Sequence, residues 1–212
     1  MTEYAVARLE EIDELSDGRC PFRPVRHHFG ITSFGVNAWT GHSAGDRIIN
    51  EHDEVDENEE LYVVQQGRAR FEFDGESVDA PAGMFVFARP GVKRTAFAEE
   101  PETTILALGG TPGQAYKPHG YEVWSQLRPL FEAGNHAEVV ARGAKLIEND
   151  PPYAMVYYNL ACSESLLGRK ADAIAHLQRA IELSEDVRGY AKNDTDFDAL
   201  RDDPAFKELV GG

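Results

Sequence analysis

The sequence lacks several features that mark common classes of protein. Its 212 residues contain two cysteines, Cys20 and Cys162, which is neither a disulfide framework nor a zinc-finger pattern. No apolar run approaches the roughly 18 residues of a membrane span, and the acidic start MTEYAVARLEEIDEL has no signal-peptide core. The net charge of −16 excludes a nucleic-acid partner, because phosphate binding needs clustered lysine and arginine. These absences predict a cytoplasmic protein with reduced thiols that binds neither nucleic acid nor membrane.

Several catalytic and cofactor-binding motifs are missing as well. The chain has no phosphate-binding glycine loop, no dinucleotide fingerprint and no H-E-x-x-H. The pattern G-x-S-x-G does occur, at Gly41–Gly45. In α/β-hydrolases this pattern lies between a strand and a helix, whereas the segment that follows here, DRIINEH, has the composition of a strand. We therefore interpret the pattern as turn residues and not as a nucleophile.

The first half of the chain follows the period of β-strands. Between about residues 23 and 107, short β-branched and aromatic runs alternate with Gly, Pro, Asp and Asn, as in GITSFGVNAWTG, ELYVVQQG, RARFEFDG, GMFVFARPG and TTILALGG. In RARFEFDG, Phe71 and Phe73 alternate with Arg70 and Glu72, so that one face is apolar and the other is polar. Strands at this spacing predict an all-β sandwich or barrel.

The second half follows the period of helices. Gly134 and Gly168 each end a first helix and lie about 34 residues apart, the period of tetratricopeptide repeats, which this region resembles. The tail DFDALRDDPAFKELV is predicted to form one or two capping helices. Because fewer than about three repeats rarely stack stably alone, we expect them to pack on the barrel or on a partner, and a plain helical hairpin pair is the alternative. The second repeat has bulky and small residues at the family's usual positions: Tyr157, Leu160, Ala161, Ala173, Leu177 and Ala180.

Two glycine-framed stretches in the β region resemble the signature motifs of the cupin barrel family. The first family motif is a Gly, five residues, His-x-His, three or four residues, Glu, six residues and a Gly. The stretch Gly45–Gly67 matches it at both ends and at Glu60, while Glu51 and Asp53 occupy the histidine positions. The interval to Glu60 is about two residues too long, which indicates an insertion or a different register. His52 lies between the two acids, so on an extended strand it is expected to point to the opposite face.

The second family motif is a Gly, five residues, Pro-x-Gly, two residues, His, three residues and an Asn. Gly75, Pro81 and Gly83 match it without a gap. Val86 occupies the histidine position and Pro90 the asparagine position. Of the four usual metal ligands of the family, therefore, only the glutamate of the first motif keeps its identity.

The resemblance implies a mixed fold class, an all-β cupin barrel of the jelly-roll type followed by an all-α tetratricopeptide helical region. The chain is similar to uncharacterised bacterial cupin proteins with such a C-terminal region. It divides into an N-terminal segment (1–24), the barrel (25–110), a Gly- and Pro-rich linker (109–120) and the helical region (121–212). Cupins include isomerases, dioxygenases, sensors and storage proteins, so the resemblance implies no single reaction.

The resemblance also implies a small-molecule pocket inside the barrel. Aromatic side chains on the strands are candidates to line it, although such residues more often form the core. The candidate pocket residues are Trp39, Glu60, Tyr62, Phe71, Phe73, Phe85, Phe87 and Arg89.

A divalent metal ion is the one cofactor that the residues suggest. The acids of HDEVDENEE repel one another, and a bound cation would relieve that repulsion, although a solvated acidic loop is the commoner case. Together with nearby histidines they could form an oxygen-rich site for Mn, Fe or Zn. The candidate ligands are His42, Glu51, His52, Asp53 and Glu60.

Basic residues are concentrated on three strands of this otherwise acidic barrel. Arg68, Arg70, Arg89, Lys93 and Arg94 could together bind a carboxylate or a phosphate. The alternative that we favour is that each of them pairs with a neighbouring Glu or Asp.

Three hypotheses for function follow. The preferred one is a non-catalytic barrel that binds a small molecule or serves as a scaffold, with helical repeats that bind a protein partner. The second is a metal-dependent cupin enzyme, an oxygenase or isomerase, with non-standard ligands that include Glu60. The third is a structural homodimer that pairs through edge strands and the N-terminal segment, including VRHHFGITSFG.

Overall fold

The computed structural model describes residues 4–16, 18, 20–53 and 57–211. Contacts divide the chain into two units, Met1–Pro118 and His119–Gly212. Strands predominate in the first unit and helices make up the second. None of the helices formed by the described residues is both long and apolar enough to cross a membrane.

The described part of the first unit contains ten strands in two antiparallel sheets. The larger sheet has the order β1-β2-β3-β10-β5-β8 and the smaller one the order β4-β9-β6-β7. The strands are β1 (Leu15–Ser16), β2 (Pro21–Arg23), β3 (Gly35–Gly41), β4 (Arg47–His52), β5 (Glu59–Gln66), β6 (Arg68–Phe73), β7 (Glu76–Pro81), β8 (Phe85–Ala88), β9 (Arg94–Ala98) and β10 (Thr103–Gly110).

The connections of β3 to β10 are those of a jelly roll. Successive strands change sheets except at the β6–β7 hairpin, and the first and last strands of the eight pair with each other. This is the arrangement of two interlocked Greek keys. The short strands β1 and β2, which belong to the predicted N-terminal segment, extend the larger sheet beyond β3.

The core of this unit lies between the two sheets. Alternation along β5 and β6 directs Tyr62 and Val64 from one sheet, and Phe71 from the other, into the interior, where each is at most 1% exposed. The rings of Tyr62 and Phe71 lie 5.4 Å apart between centroids. Burial of one such side chain stabilises the fold by roughly 1.5–3 kcal/mol.

The segment before β3 differs from the prediction. VRHHF lies in the predicted strand region, whereas it forms the helix α1 (Val25–Phe29). Gly30 ends the helix with a φ of 67°, and its N–H donates to the carbonyls of Arg26 and His27. A glycine reaches this left-handed conformation without strain, and the cap closes the helical turn. His27 and His28 therefore do not alternate across a sheet.

The second unit is built from antiparallel helices. The predicted first helix is two short helices, α2 and α3, and the tail forms a 3₁₀ helix (Thr195–Leu200) and a last α-helix. The helices are α2 (Gly120–Ser125), α3 (Arg128–Glu132), α4 (His136–Leu146), α5 (Ala154–Leu166), α6 (Lys170–Leu183), α7 (Asp186–Asn193) and α8 (Pro204–Gly211).

The two helix-ending glycines have the same local structure. Gly134 and Gly168 have φ angles of 73° and 74°. The N–H of each donates to the carbonyl three residues before it, and the next N–H reaches back five residues, from Asn135 to Leu130 and from Arg169 to Glu164. This is the Schellman motif, which turns the chain after a helix. The internal repeat seen in the sequence is thus a repeat of structure at these turns.

Candidate functional site

The centre of the barrel is organised around the carboxylate of Glu60. Glu60 lies on β5, two residues before the buried Tyr62, and so shares its inward face. The residue opposite on β10 is Gly109, where a Cβ atom would come within 3.3 Å of the Glu60 Cγ atom. The absence of a side chain at Gly109 therefore leaves room for the glutamate inside the sandwich.

Arg94 reaches this carboxylate from the opposite sheet. It lies on β9 beside the small residues Ala96 and Ala98, and its side chain is 0% exposed. Its Nη2 and Nε atoms donate to Oε2 of Glu60 at 2.5 and 3.1 Å, and Nη1 donates to the carbonyl of Val92 at 2.9 Å. A buried ion pair thus joins the two sheets.

Tyr62 joins both charged groups. Its hydroxyl donates to Oε2 of Glu60 and accepts from Nε of Arg94 at 3.2 Å. A buried phenol finds partners in this way when the interior offers them. The Glu60 carboxylate, the Arg94 guanidinium and the Tyr62 hydroxyl form one hydrogen-bonded network.

His52 completes the cluster, and its side chain lies on the face opposite to Glu51 and Asp53, as alternation predicts. Its Nε2 atom lies 3.0 Å from Oε2 of Glu60. The register of β4 against β9 shifts between Ile49 and His52, so that His52 lies opposite Arg94. The alternation rule holds here, because Glu51 and Asp53 on either side of His52 are exposed. The motif alignment is wrong at this point, since it assigns the two acids, and not His52, to the inward ligand positions.

Both ring nitrogens of His52 face hydrogen-bond acceptors. Nδ1 lies 2.6 Å from the carbonyl oxygen of Asn50, and Nε2 faces the Glu60 carboxylate. A neutral imidazole carries one N–H and can satisfy only one of these acceptors. The geometry therefore favours the doubly protonated imidazolium.

The pKa values follow from these contacts. Burial opposes ionisation of Glu60, but the hydrogen bonds from His52, Tyr62 and Arg94 outweigh it and lower its pKa to about 2. Burial also opposes a charge on His52, yet the hydrogen bonds to Glu60 and Asn50 raise its pKa above the ordinary 6.5. Burial and the Glu60 charge raise the pKa of Tyr62. Glu60 is thus an anion, Arg94 a cation and Tyr62 a neutral phenol at physiological pH.

We expect the free energy of unfolding to fall as the pH rises through the pKa of His52. The folded chain holds this proton more tightly than the unfolded chain does. The stabilisation is therefore complete below the unfolded pKa of about 6.5 and is lost as the pH passes the higher folded value. Urea unfolding between about pH 5 and about pH 8 measures how steeply the free energy of unfolding changes with pH.

The control for this prediction is a second histidine. The pKa of His42 is also raised, by hydrogen bonds to Glu102 and Glu14. Each histidine is therefore replaced separately, as His52→Gln and His42→Gln. We expect His52→Gln to remove the part of the pH dependence of the free energy of unfolding that His52 contributes. A pH profile identical to that of the wild type would contradict the assignment of this contribution to His52.

The other predicted metal ligands lie away from the cluster. The Glu51 carboxylate is exposed and pairs with Nζ of Lys93 at 2.7 Å, and Asp53 is exposed at the end of β4. His42 lies at the surface between Glu102 and Glu14. Of the five residues proposed as ligands, the structure brings together His52 and Glu60.

The predicted pocket residues divide between the interior of the barrel and its outer surface. Glu60, Tyr62 and Phe71 face the interior, where Phe73 stacks on Phe71 with 5.8 Å between centroids. Trp39 is 8% exposed and stacks on Phe22 at 4.7 Å, which makes it part of the core.

The aromatic residues of β8 lie outside the barrel, contrary to the prediction. Phe85 and Phe87 are 66% and 51% exposed, and Arg89 lies over the Phe87 ring. Their neighbour Val86 points inward opposite Tyr62. Strand alternation allows either Val86 or its neighbours Phe85 and Phe87 to face inward, but not both. The motif alignment places Val86 at an inward ligand position, and so already predicts that the two phenylalanines face outward.

The prediction that the basic residues pair with acids is confirmed for four of them. Arg68 pairs with Asp79, Arg70 with Glu99, Lys93 with Glu51 and Arg94 with Glu60. Three of these pairs are exposed and contribute little to stability. Arg94 differs because it is buried. The signal that could have singled it out is an arginine in alternation with small apolar residues in RTAFA.

Comparison with known proteins gives structural likeness only. No family model and no curated protein matches the chain. A cupin protein from Bacteroides fragilis is 18% identical, with 56% of this chain and 92% of that chain covered and a TM-score of 0.43. KdgF from Halomonas is 17% identical, with 51% and 92% covered and a TM-score of 0.42. A sugar phosphate isomerase of the cupin superfamily from Silicibacter pomeroyi is 18% identical, with 51% and 77% covered and a TM-score of 0.43.

Proposed function

We propose that the barrel is a metal-independent binding site for a small polar molecule, centred on Glu60, His52, Tyr62 and Arg94. The observation that carries the proposal is the buried Arg94 guanidinium, 2.5 Å from Oε2 of Glu60. It supplies the positive charge that a metal ion supplies in the usual cupin site. The barrel thereby keeps a polar centre without a metal.

The residues at this centre do not fit a metal ion. Oε2 of Glu60 already accepts hydrogen bonds from Arg94, Tyr62 and His52. A divalent cation in the same place would lie beside the Arg94 guanidinium, and like charges at such distances repel strongly in a buried site. Val86, at the usual histidine position, offers no lone pair. No step of the proposed function passes through a metal.

The part of the cluster that solvent can reach suggests what would bind. The side chains of His52 and Glu60 are 31% and 17% exposed, whereas Arg94 is 0% exposed. Oε1 of Glu60 accepts no hydrogen bond from any residue that the structure describes. A carboxylate oxygen is an acceptor only. We therefore expect a ligand with hydroxyl or amino groups, one of which donates to Oε1.

Metal loading tests the first part of this proposal. The full chain is incubated with Mn²⁺, Fe²⁺, Ni²⁺ or Zn²⁺, desalted without chelator and subjected to elemental analysis beside Glu60→Gln and His52→Ala. We expect the same metal content in all three proteins. A near-stoichiometric metal that both variants lose would overturn the proposal and support the metal-dependent enzyme.

The second part is tested by NMR titration. Monosaccharides and amino alcohols serve as hydroxyl- and amino-bearing probes, and acetate serves as the carboxylate control. We expect shifts of the His52 ring signals with a probe of the first kind, reduced in Glu60→Gln because the amide is a weaker acceptor than a carboxylate. If acetate is the only probe that binds, the ligand class is wrong.

The rival function is a metal-dependent oxygenase or isomerase. It is favoured by the contact between His52 and Glu60, two residue types that bind transition metals. It requires Arg94 to leave a buried carboxylate, at a cost of several kcal/mol. The geometry therefore favours the metal-independent site.

For the second unit we propose a tetratricopeptide-like role in binding a protein segment. The repeated Schellman turns at Gly134 and Gly168 support the repeat assignment. The face of α5 that carries Tyr158 packs on Phe197, with 5.6 Å between ring centroids. A partner would therefore meet other exposed apolar side chains, among them Leu166 and Leu167. Self-association of the barrel remains a separate prediction, for which exposed Phe85 and Phe87 offer a surface.

A further inference from the structure

Three side chains with metal-ligating atoms converge in the helical unit. Cys162 on α5 faces Asp194 and Asp196, which lie at the start of the 3₁₀ helix, and one ligand atom from each lies within 4.8 Å of the others. Among residues 4–16, 18, 20–53 and 57–211, it is the one group in which three or more His, Cys, Asp or Glu side chains lie close enough together to share a metal ion. The sequence does not reveal this group, because Cys162 and the two aspartates are about 30 residues apart and follow no known metal-site spacing.

Local structure holds the two carboxylates in place. Asp194 caps the 3₁₀ helix, and its Oδ1 accepts from the N–H of Asp196 at 3.0 Å. Its Oδ2 accepts from the Tyr158 hydroxyl at 2.6 Å and lies 3.8 Å from Sγ of Cys162. Tetrahedral zinc with bonds of about 2.0–2.3 Å requires ligand atoms roughly 3.3–3.8 Å apart. The distance between Sγ of Cys162 and Oδ2 of Asp194 therefore already suits two ligands of a tetrahedral zinc ion.

An independent observation is a buried hydroxyl with no partner. Ser165 lies three residues after Cys162, and residues at this spacing share one face of a helix. Ser165 is 1% exposed, and its Oγ makes no hydrogen bond with the residues that the structure describes. A buried polar atom without a partner is costly. A metal-bound water molecule would give this hydroxyl a partner.

The first residue of α4 supplies a second such atom. Nδ1 of His136 is buried and likewise has no hydrogen-bond partner among the described residues. The imidazole lies close enough to the Asp196 carboxylate to act on it electrostatically.

The charges at this place are not balanced by the protein. Neither carboxylate is paired with a lysine or arginine among the described residues, since the nearby Arg201 donates to the backbone carbonyl of Asp194 and not to its side chain. A divalent cation would neutralise the carboxylates and draw the proton from the thiol.

We propose that Cys162, Asp194 and Asp196 bind a divalent transition metal ion, with Zn²⁺ as the best match and the fourth position open to a water molecule. One thiolate and two carboxylates are ligand types that zinc accepts, and three protein ligands leave one tetrahedral position free. The ion would tie α5 to the segment that follows α7. This site is independent of the barrel and of the function proposed for it.

Cobalt provides a direct probe, because a thiolate bound to Co²⁺ has a charge-transfer band in the near ultraviolet that oxygen ligands lack. The full chain is titrated with Co²⁺ and then with Zn²⁺. We expect about one equivalent of Co²⁺ to produce the thiolate band and Zn²⁺ to abolish it, since zinc generally binds more tightly than cobalt. Absence of the band in the wild-type protein would overturn the proposal.

Matched variants identify the ligands. We expect Cys162→Ala to abolish the band and Cys20→Ala, which removes the other buried thiol, to leave it intact. Asp196→Asn should weaken binding by at least about 100-fold, because the loss of an outer-shell partner alone costs about 10- to 100-fold. Circular dichroism checks that each variant is folded. A band that survives in Cys162→Ala would contradict the assignment.

The same measurement separates this site from the barrel. We expect Glu60→Gln to leave the cobalt band unchanged. If Glu60→Gln loses metal and Cys162→Ala keeps it, both the new site and the metal-independent barrel are wrong. If Cys162→Ala alone loses metal, both stand, and any zinc found in purified protein belongs to the helical unit.

Discussion

Replacement of Arg94 by methionine is expected to destabilise the barrel by about 3–5 kcal/mol, the usual cost of breaking a buried ion pair from one side. The variant removes three hydrogen bonds to Glu60 and Tyr62 and leaves the Glu60 carboxylate buried without its cation. Urea unfolding at neutral pH measures the loss. We also expect the pKa of Glu60 to rise from its value of about 2, because burial then acts without the opposing charge.

Two controls make this prediction specific. Arg68→Met removes an exposed arginine that pairs with Asp79 on the other strand of the β6–β7 hairpin, and should cost less than about 1 kcal/mol. The double variant Arg94→Met/Glu60→Gln removes both charges but keeps an acceptor for Tyr62, and should recover much of the lost stability. Equal costs for Arg94→Met and Arg68→Met would show that the pair is not a central element of the barrel.

Gly67→Ala is the second substitution with a large expected effect, about 2–5 kcal/mol. Gly67 has a φ of 73°, which costs an L-residue about 1–2 kcal/mol. An added Cβ would lie 2.4 Å from Oγ1 and 2.9 Å from Cα of Thr103, and overpacking typically costs a further 1–3 kcal/mol or so. Thr103 cannot easily move, because its hydroxyl donates to the carbonyl of Glu100 and accepts from the N–H of Arg68.

The matched controls are two other glycines of the same sequence motifs. Gly75 and Gly83 have φ angles of 90° and 86°, but a Cβ at either would meet no atom within 4 Å. Gly75→Ala and Gly83→Ala should therefore lose only the conformational term of about 1–2 kcal/mol. Thermal or urea unfolding of the three variants tests the order. If Gly67→Ala is no worse than the controls, then Thr103 does not constrain this turn.

The role of these glycines was accessible from the sequence. The spacing of Gly67, Gly75 and Gly83 around short alternating runs predicts tight turns between strands, and each has a left-handed φ angle. The inward orientation of Glu60 and Val86 follows from the motif alignment and is also observed. These features depend on a residue's own backbone preference and on strand alternation, both of which are local.

The contact between His52 and Glu60 and the helix at Val25–Phe29 were not accessible in this way. Alternation places His52 on the face of β4 opposite to Glu51 and Asp53, but which face lies inward depends on the pairing of β4 with β9, whose register shifts between Ile49 and His52. VRHHF contains β-branched and aromatic residues that suit a strand, yet a glycine cap at Gly30 and packing against β3 make it helical. Tertiary contacts override such weak propensities in short segments.

The sequence by itself therefore determined most strands of the first unit, the helices that end at Gly134 and Gly168, and the glycine turns. Only the tertiary structure decided that Arg94 on one sheet neutralises Glu60 on the other, and that Cys162 meets Asp194 and Asp196. The physical reason is the range of the interactions. Backbone conformation and hydrophobic period depend on neighbours along the chain, whereas ion pairs and metal sites depend on side chains that only the packed fold brings within a few ångströms.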